Sequence, residues 1–185
     1  MEIPVYTGID AKEALKSRNN VSAIDTSFSL TFEKEDAHVR GSGVLNIAKN
    51  GDLSLRVYSF GFLAFEVTSE NGIVRSSPAI DKDKALMLTS GLRDCLFWWD
   101  VEDGEIEEDN EKYLVKNFSR ILWVDKQSLF PLKQKILLPD DRELEIYYEY
   151  PKSFSETWYP SRIKIQFHRY SLIMEIKDIS FVCGV

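Results

Sequence analysis

Apolar and polar residues alternate with a period of two along most of this chain. Phe28, Leu30 and Phe32 are separated by Ser29 and Thr31, and Val39, Gly41, Gly43, Leu45 and Ile47 repeat the pattern. Leu53, Leu55 and Val57 continue it, then Leu63, Phe65 and Val67. Side chains of a strand point alternately to two faces, so this period predicts half-buried β-strands. Asn50-Gly51 and Asn71-Gly72 punctuate the runs as two-residue hairpin turns. Further strands are expected at Ile73–Arg75, Tyr113–Val115, Arg120–Val124 and Leu132–Leu138, the last leading to a turn at Pro139-Asp140-Asp141. Leu144 to Tyr150, Ile163 to Phe167 and Leu172 to Ile176 complete the series, with Ile179 and Phe181 after them.

Two segments keep a different rhythm. Asp10 to Arg18 reads as a short helix, with Asp10 as N-cap, Glu13 three residues on, and Asn19-Asn20 as its stop. Asp81 to Trp99 carries Leu88, Leu92, Cys95 or Leu96, and Trp99 at helical spacing, with a break expected at Ser90-Gly91. The acidic stretch that follows, Asp100 to Glu111, reads as a charged loop or hairpin tip. About ten strands joined by short turns imply an antiparallel meander that curls or closes. The mid-chain helix would then fill its concave side. No repeat or linker divides residues 1–185, so one mainly β (α+β) domain is expected.

Composition narrows the function more by exclusion. Thirty acids against 23 bases give a net charge of −7, a poor footprint for nucleic acid. No run of eighteen apolar residues exists, so no transmembrane helix is expected. Two cysteines, Cys95 and Cys183, and two histidines, His38 and His168, are too few for a disulfide framework or a Cys- or His-based metal site. Whether the cysteines pair is open at this level. Met1-Glu2-Ile3-Pro4-Val5-Tyr6 lacks the pattern of a secretory leader. Two readings remain: a cytosolic protein, or one whose signal segment has been removed.

Catalytic signatures are missing: there is no nucleophile elbow, phosphate loop, dinucleotide fingerprint or zinc-protease helix. Cys95, beside Asp94 on the expected helix, has apolar neighbours and reads as packing. His38, next to Glu35-Asp36, reads as part of a solvated hairpin end, and His168 as an exposed strand residue. Glu143, Glu145 and Glu149 share one face and are expected to meet water. Catalytic, metal and cofactor sites are therefore all expected to be none. The informative run is Tyr58-Ser59-Phe60-Gly61-Phe62-Leu63-Ala64-Phe65. Phe60 and Phe62 fall on even positions, off the apolar face, at the turn that Gly61 permits. Such a tip is either tucked beneath a helix or exposed for contact with a membrane or a partner.

With this run the order of elements resembles the LolA/LolB lipoprotein carrier and receptor family, closest to its LolB branch. The resemblance covers most of the chain. It rests on the initial helix, the hairpin through Gly41-Ser42-Gly43, Asp52 to Val57 followed by Phe60-Gly61, and Leu63 to Val67. It continues in Leu88-Thr89-Ser90-Gly91-Leu92 to Trp98, in Ile121 to Asp125 with Phe130-Pro131-Leu132, and in Tyr159-Pro160-Ser161-Arg162-Ile163. Such a family member is an unclosed antiparallel β-barrel, here of about ten or eleven strands, with helices covering or plugging a cavity for acyl chains. The resemblance puts a protruding membrane-contact residue at Phe60, with Phe62 beside it. Two features depart from the family: the tip is aromatic where LolB has leucine, and the lipidated N-terminal cysteine of LolB has no counterpart.

The expected function is a non-catalytic cell-envelope lipid- or lipoprotein-binding carrier or receptor, a transport chaperone in the broad sense. Its expected cavity is lined by Leu53, Leu55, Val57, Leu63, Phe65, Val67, Leu88, Leu92 and Trp99. Expected partners are acyl chains of lipoproteins or other lipids, a periplasmic carrier protein and a membrane surface, with no nucleic acid. The expected location is the periplasm or the periplasmic face of the outer membrane, if a signal segment was removed before Met1. The alternatives are a small-molecule enzyme using the same half-barrel cavity, or a sensing or interaction domain.

Overall fold

The computed structural model describes residues 3–6, 10–35, 37–138, 140–155 and 157–184. Met1 and Glu2, Asp36 of the acidic pair beside His38, and Pro139 of the expected 139–141 turn lie outside them. Helix α1 (Ala11–Lys16) starts as expected, with the Asp10 carboxylate accepting the Lys12 backbone N–H at 2.8 Å. Such a cap contributes about 1 kcal/mol. The helix tightens into a 3-10 turn (Ser17–Asn20) and gives way to β1 (Val21–Lys34).

Four strands follow in hairpin succession: β2 (Ala37–Ala48), β3 (Leu53–Ser59), β4 (Phe62–Glu70) and β5 (Ile73–Ser77). A helical segment then crosses the concave side. It comprises α2 (Lys82–Leu86), a π turn (Met87–Gly91) and α3 (Leu92–Leu96). The break expected at Ser90-Gly91 is a widening of the helix instead. After it come β6 (Glu105–Asp109), β7 (Lys112–Lys116), β8 (Arg120–Asp125), β9 (Pro131–Leu137), β10 (Glu143–Phe154), β11 (Thr157–Phe167) and β12 (Tyr170–Cys183).

All twelve strands form one antiparallel sheet in the order β5-β4-β3-β2-β1-β12-β11-β10-β9-β8-β7-β6. The outermost strands, β5 and β6, do not pair with each other, so the barrel is unclosed. The fold class is the expected one: mainly antiparallel β, curled around helices. The strand total exceeds the expected ten or eleven because the acidic run is not all loop. Glu105–Asp109 is a strand, hydrogen-bonded to β7 with Asp109 opposite Lys112. Charge masked it: a strand with one partner and one exposed face tolerates carboxylates that a buried strand does not.

The core lies between the concave face and the helical segment. Phe28, Leu30, Leu45, Ile47, Ile146, Ile163, Ile165 and Met174 from the sheet meet Met87, Leu88, Leu92 and Phe97. Bulges reset the alternation, two of them beside the core. Ala64 is unpaired between Val57↔Phe65 and Tyr58↔Leu63. Lys177 is skipped between Phe28↔Ile176 and Ser27↔Asp178, which is why burial moves from Ile176 to Ile179. Both are bulges that turn the following side chains to the other face. Tyr150, at φ 52°, is exposed without any such shift: β10 and β11 keep one register from Leu144↔Phe167 to Phe154↔Thr157.

Because successive strands reverse, the turns after β1, β3, β7, β9 and β11 share one rim. The segment from β5 into α2 starts at that rim too. No helix among the described residues is long and apolar enough to cross a membrane.

Candidate functional site

Among the described residues the turn between β3 and β4 carries the most exposed large apolar side chain. Ser59 pairs with Phe62, so only Phe60 and Gly61 form the loop. Their φ angles are 51° and 83°, the left-handed pair of a type I′ turn. Glycine adopts this freely, whereas a left-handed phenylalanine costs about 1–2 kcal/mol. The Phe60 side chain gains no packing in return, being 98% exposed, and Phe62 is 78% exposed. Both sequence-level alternatives for the tip are thereby decided in favour of exposure. The root of the tip is tight: a Cβ at Gly41 would fall 2.3 Å from the Tyr58 carbonyl oxygen.

Beneath this rim lies the apolar interior. Leu55, Val57, Phe65, Leu88 and Leu92 meet Phe28, Phe32 and Met174 around a residual void of about 10 Å³. That is at the lower limit for one water molecule, so the interior is closed in this conformation. Leu53 and Val67 are buried in the same core. Two expected lining residues lie elsewhere. Leu63 is 53% exposed, because the bulge at Ala64 places it opposite Tyr58 rather than on the face of Val57 and Phe65. Trp99 sits past the end of α3 and walls a different space, a cavity of about 950 Å³ shared with Lys12, Lys49 and Asp100.

The helical segment that closes the interior is held differently at its two ends. At the start, contacts are solvent-accessible. Tyr170 Oη donates to Asp81, and Arg142 Nη1 reaches both carboxylate oxygens of Asp83 at 3.0 Å. His168 Nδ1 lies 3.7 Å from Asp83. The Tyr170 hydrogen bond holds the Asp81 carboxyl below its ordinary pKa. Lys84 lies over the rings of Phe32 and Phe65, at 4.7 and 4.9 Å, and burial pushes its pKa down.

At the far end the contacts are buried. Arg120 on β8 donates through Nε and Nη2 to Gln134 Oε1 on β9, and through Nη1 to the Asp100 carbonyl at 2.8 Å. Gln134 Nε2 donates to the Asp94 carbonyl at 2.9 Å and to Tyr148 Oη, which donates to the Cys95 carbonyl at 3.1 Å. Burial pushes the Tyr148 phenol well above its ordinary pKa. This polar cluster escaped the sequence reading. Its signal was Gln134, which shares the parity of the buried Ile136 and is itself fully buried.

Residues set aside at the sequence level sit as follows. Cys95 and Cys183 are both free thiols, the first buried and the second exposed. Cys95 Sγ donates to the Leu92 carbonyl at 3.2 Å, and burial pushes its pKa up, away from reactivity. His38 accepts from Arg40 Nε at 2.8 Å on the exposed face of β2, and His168 is in the turn after β11 rather than in a strand. Glu145 is not simply solvated: hydrogen bonds from Tyr147 and Lys133 hold its carboxyl below the usual range. Among the described residues no group of three or more His, Cys, Asp or Glu side chains could hold a metal ion.

No family model and no curated protein sequence matches this chain. Solved structures do. A LolA superfamily protein from Nitrosomonas europaea superposes with a TM-score of 0.62 at 10% identity, over 96% of each chain. A DUF1329 family protein from Desulfovibrio piger gives 0.62 at 12% identity, over 100% of this chain and 95% of its own. A domain assigned as an outer membrane lipoprotein-sorting protein from Vibrio parahaemolyticus gives 0.55 at 12% identity, over 95% and 92%. The LolB branch is not singled out among them. Identities this low speak for architecture alone: the chain shares the fold of these three structures, here an unclosed antiparallel barrel wrapped around a helical segment.

Proposed function

We propose that residues 1–185 form one domain that acts as a non-catalytic carrier or receptor for the acyl chains of lipids or lipoproteins in the cell envelope. The observation that carries this reading is the pairing of an exposed aromatic tip with an apolar, helix-closed interior beneath the same rim. Phe60 and Phe62 would touch the membrane surface. The acyl chain would enter between Leu55, Val57, Phe65, Leu88 and Leu92 as α2 lifts from its solvent-accessible contacts. A chain of about fourteen carbons, at ~0.8 kcal/mol per methylene, supplies roughly 11 kcal/mol before ordering costs. That suffices for reversible holding without covalent chemistry. The lipoprotein-sorting assignment of the Vibrio neighbour supports the cargo class and the envelope location.

The enzyme alternative would draw on polar groups facing the concave side. The Arg120–Gln134–Tyr148 cluster is such a group, yet it is engaged with itself and with the carbonyls of Asp94, Cys95 and Asp100, where it fastens the helix. Native mass spectrometry of the purified protein, with titration by a fluorescent fatty acid, tests the carrier reading. A co-purified lipid mass, or saturable probe binding displaced by unlabelled fatty acid, is expected. The bare polypeptide mass with no probe binding would overturn it.

A further inference from the structure

The rim opposite Phe60 holds a second hollow, a cavity of about 580 Å³ walled by Tyr6, Leu15, Arg18, Trp98, Leu129 and Phe181. It lies where β1 begins and β12 ends, and shares no lining residue with the closed apolar interior. Its volume falls in the range of ordinary small-ligand sites.

Arg18 is the unusual member of this wall. Its guanidinium carbon lies 4.9 Å from the centre of the Trp98 ring and 5.4 Å from that of Trp99. Nη1 donates to the Trp158 carbonyl at 3.0 Å. Among the described residues, no carboxylate comes within 4.0 Å of it, although Glu13 lines the same cavity. A guanidinium carries five N–H donors, and the protein supplies one carbonyl. The Arg18 side chain is partly buried, and that burial pushes its pKa down against the opposing pull of Tyr6. A fork-shaped cation stacked on indole, beside an apolar hollow, is suited to a planar or tetrahedral oxyanion joined to an apolar body.

We propose that this cavity is a binding site for a single-headed amphiphile, whose carboxylate or phosphate takes the Arg18 guanidinium while its apolar part packs on Trp98, Leu129 and Phe181. Glu13 on the wall disfavours heads of higher charge. The site does not rest on the acyl-carrier reading, because it uses neither the closed interior nor the tip.

Cys183 provides the readout. It is exposed, lines the cavity, and sits beside Gly184, whose N–H is pinned to the Asn20 carbonyl at 2.9 Å. Cys95 is buried and stays silent. The full chain is alkylated with N-ethylmaleimide in the presence of octanoate, octyl phosphate or octanol. Octanoate, octyl phosphate or both should slow modification of Cys183, while octanol at equal concentration leaves it unchanged. A preference for one acid identifies the head group as carboxylate or phosphate. Arg18→Met should weaken the protecting acid by about tenfold or more, the loss of a charge-assisted hydrogen bond, and Arg18→Lys should retain part of it. Equal protection by octanol, no protection by either acid, or undiminished protection in a folded Arg18→Met protein would overturn the proposal. Should Arg18→Met fail to fold, the comparison of acids with octanol on the unaltered chain decides.

Discussion

Replacing Phe60 with asparagine should make the protein more stable and a poorer membrane binder at once. Phe60 holds φ 51° with Gly61 at 83°, and the next hairpin of the same sheet holds almost the same turn, 50° and 78°, with Asn71-Gly72. Asparagine is the preferred partner of glycine in this turn because its short polar side chain tolerates the left-handed region. With 98% of the Phe60 side chain exposed, the substitution removes no buried surface. The gain is therefore the relieved backbone strain, about 1 kcal/mol after partial offsets. For a chain of this size that raises Tm by about 2–4 °C. Fully burying a phenylalanine in an apolar phase is worth about 1.5–3 kcal/mol, so losing the ring should weaken vesicle binding by about ten-fold or more. Calorimetry and flotation with phosphatidylethanolamine–phosphatidylglycerol vesicles measure the two effects on one sample. A fall in Tm would show that the ring packs against something and that the strain argument is wrong. A rise in Tm with unchanged flotation would remove Phe60 from the membrane contact.

Gln134→Leu, which fills the same space with carbon, should cost about 2–4 kcal/mol in urea unfolding, because it leaves Nε and Nη2 of the buried Arg120 guanidinium without an acceptor while Nη1 keeps the Asp100 carbonyl; a change below about 0.5 kcal/mol would refute the fastening role. The carboxyls of Asp81 and Glu145 are both held below their ordinary pKa, so the native state binds fewer protons than the unfolded chain in acid. Stability from these contacts is complete above about pH 5 and is lost as pH falls through the depressed native values. Asp81→Asn with Glu145→Gln should flatten the Tm–pH curve below about pH 5, and an unaltered slope would count against both contacts.

The tip was legible because its evidence is local: Gly61 marks the turn, and parity takes Phe60 and Phe62 off the apolar face. The core pairs Leu55, Val57 and Leu88, Leu92 were legible for the same reason, each following one period within one element. Leu63 was not, since a bulge at Ala64 leaves no compositional trace and depends on how β3 and β4 slide together. Nor could Trp99 be assigned to the right space, because helical spacing predicts a shared face only while the helix continues, and α3 ends at Leu96. The Arg18 site joins residues 18, 98, 129 and 181, contacts between chain segments far apart, for which no periodicity exists.

An open barrel leaves two strands with unsatisfied backbone hydrogen bonds, each a template on which another chain could add. β5 meets this hazard by brevity: it has five residues and ends at Ser77, followed by Pro78, which has no N–H to offer. β6 meets it with charge. Glu105, Glu107, Glu108 and Asp109 make four of its five residues acidic, and only Ile106 turns inward to any extent. Two copies joined β6 to β6 would bring eight carboxylates into one ladder, only half of them paired to a lysine (Glu107 with Lys116, Glu108 with Lys126), a repulsion that opposes the hydrogen bonds gained. The acidic stretch that resembles a solvated loop thus acts as a guard against aggregation, and protonating it should let the chains add edge to edge.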